Sequence, residues 1–399
     1  MRKLWLMLVV FACIGVGVAS AQVESGNLTG ACVTDYDPNV DYFPEKSEVE
    51  YASNLAIEYF NNYKRLTVSS PWTGAAEPFT YILVQCGTPA PEGYAPEQII
   101  EVPATRALAL STTYLPHFVA LDTLDRLIGV DSFLYINTEA VMARVAADAL
   151  IEVGGGSSIN IEMVLDSESD LVLTYGSGAP EYDAHPALID AGVPVALSAD
   201  WTETSPLGRA EWIKFTGAFF NAESGANAAF DSIAGEYQAL VELAATADAQ
   251  PLVLWSAYTT WGEAWFISGG RSYIGQLLRD ANAIQVLGDA PEVVDQVGSV
   301  PFSFEVVYDA GLNADVWFPG VYAVPTLADL VAQDERYADL TAVENGLVYN
   351  NDARVNENGG VDYFETGVTN PQLVLADLIA ILHPNLMPDH DLYFFRRME

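Results

Sequence analysis

Four histidines, His117, His185, His383 and His390, are all the imidazole the chain has, and they are scattered without metal-ligand spacing. The last two fall in a proline-containing tail, where a surface role is expected. Gly154-Gly155-Gly156-Ser157 lacks the lysine of a phosphate-binding loop, and Gly176-Ser177-Gly178 is one residue short of a nucleophile elbow. Both read as turns that leave strands. These residues point to no catalytic constellation, no cofactor and no bound metal. Acidic residues are plentiful enough to leave one catalytic alternative, a secreted hydrolase working by paired carboxylates. That reading requires two carboxyls facing each other in a crevice, one of them desolvated. A direct metal-ion receptor would need three or four converging His, Asp or Glu ligands.

The stronger pattern is aromatic. Tyr114, Phe133, Tyr135, Tyr175, Trp201, Tyr258, Trp261, Trp265, Tyr273, Trp317 and Tyr363 fall at or just after the ends of expected strands, and Thr113 stands in the first such loop. Rings on loops offer a rigid apolar surface with a polar edge, suited to a large ligand held by its faces and edges. Several are expected to pack the loop bases instead. Arg271, Arg354, Asp362 and Glu365 bring charge to the same rim, where an arginine suits a carboxylate or an anionic iron chelate. The ligand-contacting set read in this way is Thr113, Tyr114, Phe133, Tyr135, Tyr175, Trp201, Trp261, Trp265, Arg271, Arg354 and Tyr363. Glu162 and Glu305 each sit near the start of a helix, a position the helix dipole favours for a carboxylate.

The elements that must position these residues centre on Asn160 to Asp200, which reads as helix, strand, helix, strand. Asn160 is a good N-cap, and Ile161, Val164 and Leu165 follow at the spacing of an amphipathic turn. Leu171-Val172-Leu173 and Val193 to Leu197 are short apolar runs of the kind covered on both faces of a sheet. The helix between them runs from His185 to Ala191, and such βαβ units gather their strand-end loops at a common crevice. Before this stretch, Ala107 to Leu110 reads as a strand, Leu115 to Leu127 as a helix and Ile128-Gly129-Val130 as a further strand. After it, Ser205 and Pro206 open a helical pattern, interrupted near Ser224-Gly225, that runs to about Ala247 and is long enough to join two lobes. Strands at 251–255, 314–318 and 347–349, with helices at 274–280 and 371–382, repeat the scheme. Residues 22–45 read as a tethered arm, and 49–85 as a small antiparallel β segment.

The opening residues carry Arg2 and Lys3, an apolar run, then Ala19-Ser20-Ala21, as a secretory leader does, with cleavage expected after Ala21. Val10-Phe11-Ala12-Cys13 is a looser match to a lipoprotein cleavage site. No later segment has the roughly 18 apolar residues of a membrane span. The 54 acidic residues outnumber the 16 basic ones, of which the leader holds two, so the mature chain carries 14 against 54. Such a balance excludes nucleic acid as a partner. An acidic metal cleft is one reading of it, and a solvated acidic surface is the one expected. Cys32 and Cys86 remain, read as a disulfide in an oxidising compartment or as two buried thiols.

Asn160-Ile161-Glu162, Ser169-Asp170-Leu171-Val172-Leu173, Gly176-Ser177-Gly178 and Ala191-Gly192-Val193-Pro194-Val195, in that order, resemble the substrate-binding proteins of ABC importers for cobalamin and iron complexes. Asp125 to Val130 and the second-lobe fragments around Gly269-Gly270-Arg271, Asn313 to Phe318 and Ala342 to Asn350 extend the resemblance over roughly 100 to 385. It implies an α/β fold of two lobes, with mostly parallel central sheets flanked by helices and a long inter-lobe helix. The division expected is 1–21 leader, 22–100 arm and β segment, 101–203 first lobe, 204–247 inter-lobe helix and 248–399 second lobe. It implies a ligand such as a siderophore, haem or cobalamin, an extracytoplasmic location in the periplasm or at the cell surface, and no enzymatic activity. It also implies that Glu162 and Glu305 dock onto arginines of the importer's membrane subunits.

Overall fold

In the computed structural model, which describes residues 26–399, Ala107–Ala109 pairs in parallel with Leu127–Val130 on one side and Leu171–Thr174 on the other. The leader and Cys13 lie outside the described residues. Ile151–Glu152 and Val195–Leu197 complete the sheet at its two edges, so the chain winds outward in both directions from Ala107–Ala109. Every residue of Leu171–Thr174 is buried, which is why an apolar run without alternation marks this strand. Helices Leu115–Ala120, Glu139–Ala146, Ile161–Asp166 and His185–Asp190 make the connections. The first of these stops at Ala120 rather than Leu127, because Asp122 takes a left-handed φ of 55° that no helix continues through.

The second lobe repeats the pattern around Leu252–Trp255, flanked in parallel by Ile284–Gln285 and Val316–Phe318, with Val348 bridged to Trp317 beyond. A separate antiparallel sheet is built from Tyr258–Thr259, Ala264–Ser268 and Ser299–Phe302. Ahead of the first lobe, Leu55–Tyr59, Tyr63–Val68 and Phe79–Gln85 form an antiparallel sheet to which Ile99–Val102 adds in parallel.

Cys86, just past the third of these strands, is joined to Cys32 by a disulfide. Closing a loop of this length stabilises by about 4 kcal/mol on the chain-entropy account. Thiol labelling of the unfolded, unreduced mature protein should therefore find no free cysteine; two labelled thiols would refute the bridge.

The connection between lobes, expected as a helical pattern interrupted near Ser224-Gly225, is interrupted twice and earlier, and Ser224-Gly225 lies inside its last helix. It is three helices, Pro206–Ala210, Ile213–Phe219 and Glu223–Ala244, the first capped by Ser205 as its sequence requires. The last has 22 residues, about 33 Å at 1.5 Å per residue. Asn221 makes the second break, with φ at 56°. Its amide donates to the Leu28 carbonyl and to Gln85, and its oxygen accepts from Lys64. The break is thus where the N-terminal arm and β segment attach.

The C-terminal tail belongs to the second core. Helix Pro371–Leu382 packs along Glu223–Ala244, and beyond it Arg396–Arg397 pairs with Tyr349–Asn350 while Phe394 and Phe395 are buried. Fully buried Asp377 accepts from His390 and from the N–H groups of Tyr393, Phe394 and Phe395. His383 is buried against the Ala281 carbonyl at 2.9 Å. The surface role expected for His383 and His390 is therefore corrected: both tie the tail down.

Candidate ligand-binding crevice

The chain reverses its direction of winding between Ala107–Ala109 and Leu171–Thr174, and the loops leaving those two strands part to open a crevice. Ser111, Thr113 and Tyr114 come from the first loop, Tyr175, Gly176 and Ser177 from the second, and Asp200 and Trp201 follow Val195–Leu197. They line a cavity of about 340 Å³. Trp201 also borders a neighbouring cavity of about 530 Å³ between the lobes, whose other walls include Arg209, Ser272, Tyr273, Tyr363 and Phe364. Of the expected ligand set, Thr113, Tyr114, Tyr175, Trp201 and Tyr363 are brought together here.

The others lie elsewhere. Trp265 is wholly buried, ringed by Phe304, Trp317 and Tyr337 at 5.7–6.2 Å, so its expected ligand contact is corrected to a core role. The alternation of Ala264–Ser268 points it into the lobe. Trp261, by contrast, is 83% exposed at the hairpin tip and stacks on Phe266. Phe133 packs against the first core. Tyr135 is exposed where the lobes meet, its carbonyl so near Gly360 that a Cβ there would lie 2.6 Å from it. Arg271 pairs with Asp295, and Arg354 donates to Asp362 at 2.7 Å; neither lines the two cavities.

One side of the crevice is clasped. Buried Glu365 accepts from the N–H groups of Asn137 and Thr138 at 2.7 Å and from the Thr138 hydroxyl, while Asn356 donates to the Leu134 and Ile136 carbonyls. Burial holds the Glu365 carboxyl above its usual range despite these donors.

Three residues of the site escaped the sequence reading. Arg209 donates to the carbonyls of Glu203 and Trp201 and lies 4.3 Å from the Tyr273 ring; among the described residues no carboxylate is within ion-pair distance of it, and Asp200 feels its charge. A signal existed, since it is one of few cations in the chain and sits one helical turn past a strand-end loop. Asp200 is buried with its pKa raised by desolvation, accepting from Ser198 at 2.8 Å. Tyr114 beside it is pushed up by burial and by the Asp200 charge. Trp72, from the β segment, lies against the Gly176–Gly178 loop: a Cβ at either glycine would come within 2.7 Å of its ring. Those glycines therefore serve close packing.

The arrangement can grip a solute by ring faces, hydroxyls and one guanidinium. Asp200 feels the charges of Arg209 and Glu203, and Asp131, the other desolvated carboxyl of this lobe's strand ends, that of Glu152; Tyr114 feels both carboxyls. Among the described residues the one group of three potential metal ligands is Cys32, Cys86 and Glu101, whose sulfurs are bonded to each other.

A crevice between two α/β lobes, rimmed by rings and joined through helices, defines a solute receptor. The sequence profile of the periplasmic binding protein family matches residues 108–355, more than half of the chain. The chain therefore belongs to the periplasmic binding protein family, as an extracytoplasmic solute receptor rather than a catalyst. An uncharacterized lipoprotein of Methanocaldococcus jannaschii is 23% identical over 87% of this chain and 84% of its own length. A periplasmic binding protein from Veillonella parvula superposes with a TM-score of 0.55 at 16% identity, over 85% of this chain and 98% of that one. A periplasmic heme binding protein from Pseudomonas aeruginosa does so at 0.53 and 18%, over 74% and 98%. The likeness to both structures is one of fold.

Proposed function

We propose that the solute is a bulky chelate, an iron complex such as a ferric siderophore or haem, or cobalamin. The observation that carries this is the aromatic wall of Tyr114, Tyr175, Trp201, Tyr363 and Phe364 around two adjoining cavities. Their size falls in the range for ligands held by several ring faces at once. The haem-binding activity of the Pseudomonas relative in fold is consistent with it. Titration with ferric siderophores, haem or cobalamin should quench tryptophan fluorescence for at least one of them. Trp201→Ala should weaken that ligand by roughly tenfold or more, as loss of a central aromatic anchor does. Tight binding of a bare divalent ion, with every chelate refused, would instead favour a direct metal-ion receptor.

Delivery is proposed to run through Glu162 and Glu305. Each is exposed at the second position of a helix whose cap is made, by Asn160 to the Met163 N–H and by Ser303 to the Val306 N–H. Exposed Met163, Leu165 and Val306 stand beside them, apolar neighbours that would exclude water from a docked carboxylate.

A further inference from the structure

We propose that the N-terminal β segment is a third part of the solute site, in which Trp72 positions one wall of the crevice and Thr73 forms part of another; this deepens the chelate reading and rests on the same crevice. The segment precedes both lobes in the chain, yet it holds two of the three loops that line the crevice. The loop after Val195–Leu197 is held at both ends. The buried Tyr81 hydroxyl accepts the Leu197 N–H at 2.9 Å. The Asn54 side chain donates to the Thr202 hydroxyl at 2.9 Å, and buried Glu203 accepts the N–H groups of Ser53 and Asn54. Trp201, which borders both cavities, stands between these anchors.

The loop after Leu171–Thr174 is held by one ring. The Trp72 indole stacks on His185 at 5.7 Å, meets Phe79 edge-on at 5.9 Å, and covers Gly176–Gly178 so closely that neither end glycine has room for a Cβ. Gly176 and Ser177 are cavity wall. In so close a contact the loop follows the indole, and deleting the ring leaves a void into which the loop can move. Thr73, the next residue, is exposed and borders the inter-lobe cavity with Trp201 and Thr202. Residues 69–78 thus shape one cavity and close part of the other, where a solute large enough to span both would meet them. They are carried between paired strands, Tyr63–Val68 and Phe79–Gln85, the second of which leads into Cys86 and its bridge to the arm. The wall is therefore preorganised, and ordering it costs the solute little.

The test has a solute-free arm and a solute arm. In the free protein, the Ser177 and Tyr182 amides donate to Asp183 and to the Ala179 carbonyl within the second loop. Their hydrogen exchange should quicken about tenfold in Trp72→Ala while the strand Leu171–Thr174 keeps its protection, and Trp72→Phe should return most of it. In the solute arm, haemin, cyanocobalamin and ferric enterobactin are titrated against each protein. The chelate that wild type binds should be held at least about tenfold more weakly by Trp72→Ala. Thr73→Trp, which adds bulk at an exposed position, should weaken it about fivefold or more with the melting temperature unchanged. Wild-type exchange in Trp72→Ala, or a Thr73→Trp protein that titrates like wild type, would overturn the proposal. Refusal of all three chelates by wild type would remove the chelate reading, and the exchange arm then decides the role of the segment by itself.

Discussion

Replacing Glu162 and Glu305 together by alanine is expected to abolish uptake through the cognate importer while leaving solute affinity and melting temperature nearly unchanged. Neither side chain lines the crevice, and both are exposed on helices of the two lobes. A carboxylate that meets an arginine in a water-excluded contact forms a charge-assisted, bidentate pair, and truncating one partner costs on the order of 2–5 kcal/mol. Two such losses weaken docking by about a thousandfold or more. Glu305 has Arg336 at 3.5 Å, but that pair is solvent-exposed and easily exchanged for a partner's arginine. If the two carboxylates served only their helix dipoles, each loss would lower stability by roughly 0.3–1 kcal/mol and transport would survive. Affinity, melting temperature and reconstituted uptake measured on the one double variant separate these cases. A well-folded variant with normal uptake would end the docking role.

Glu223→Ala is expected to destabilise the protein by about 3–5 kcal/mol, the cost of leaving a buried charge alone. Lys64 and Glu223 are both wholly buried and paired, with Lys64 also donating to the Ala218 carbonyl and to Asn221, and Asn27 donating to Glu223 at 2.7 Å. Burial pulls the Lys64 pKa below its usual value, against the pull of Glu223. The pair therefore holds its charges only because each has the other. Lys64→Met with Glu223→Leu should recover most of the loss, since an apolar pair has no charge to desolvate. The shift in urea midpoint of the single and double variants measures this. A single variant costing less than about 1 kcal/mol would show that water reaches the pair. The network joins the arm, the β segment and the break between inter-lobe helices, so it also stiffens the joint about which the lobes would move. Two further buried carboxylates act alike: Glu211 takes the N–H groups of Glu50, Tyr51 and Ala52, and Glu203 those of Ser53 and Asn54.

The first lobe was legible because its signals are local. Asn160 caps Ile161–Asp166 through its own side chain, and Leu171–Thr174 advertises burial on both faces by being apolar throughout. Strand-end loops follow from the strands, so Thr113, Tyr114, Tyr175 and Trp201 could be assigned to one crevice without coordinates. Trp265 could not be separated from them, since composition does not reveal which face of a strand meets the core. Hairpin register decides that, and it turns Trp261 outward and Trp265 inward.

What the sequence by itself determined is the α/β class, the two lobes and the loops that bound the crevice, because apolar periodicity and capping act over a few residues. Only the tertiary structure decided where the inter-lobe helices break, that the tail enters the second core, and that Arg209 rather than Arg271 or Arg354 lines the inter-lobe cavity. Each of those depends on partners far along the chain. Asn221 leaves the helix to meet Leu28 and Gln85, Asp377 gathers Tyr393 to Phe395, and Asp295 and Asp362 occupy the two rim arginines. A charge is available to a ligand only when the fold has given it no partner of its own, and pairing at that distance is written in no local pattern.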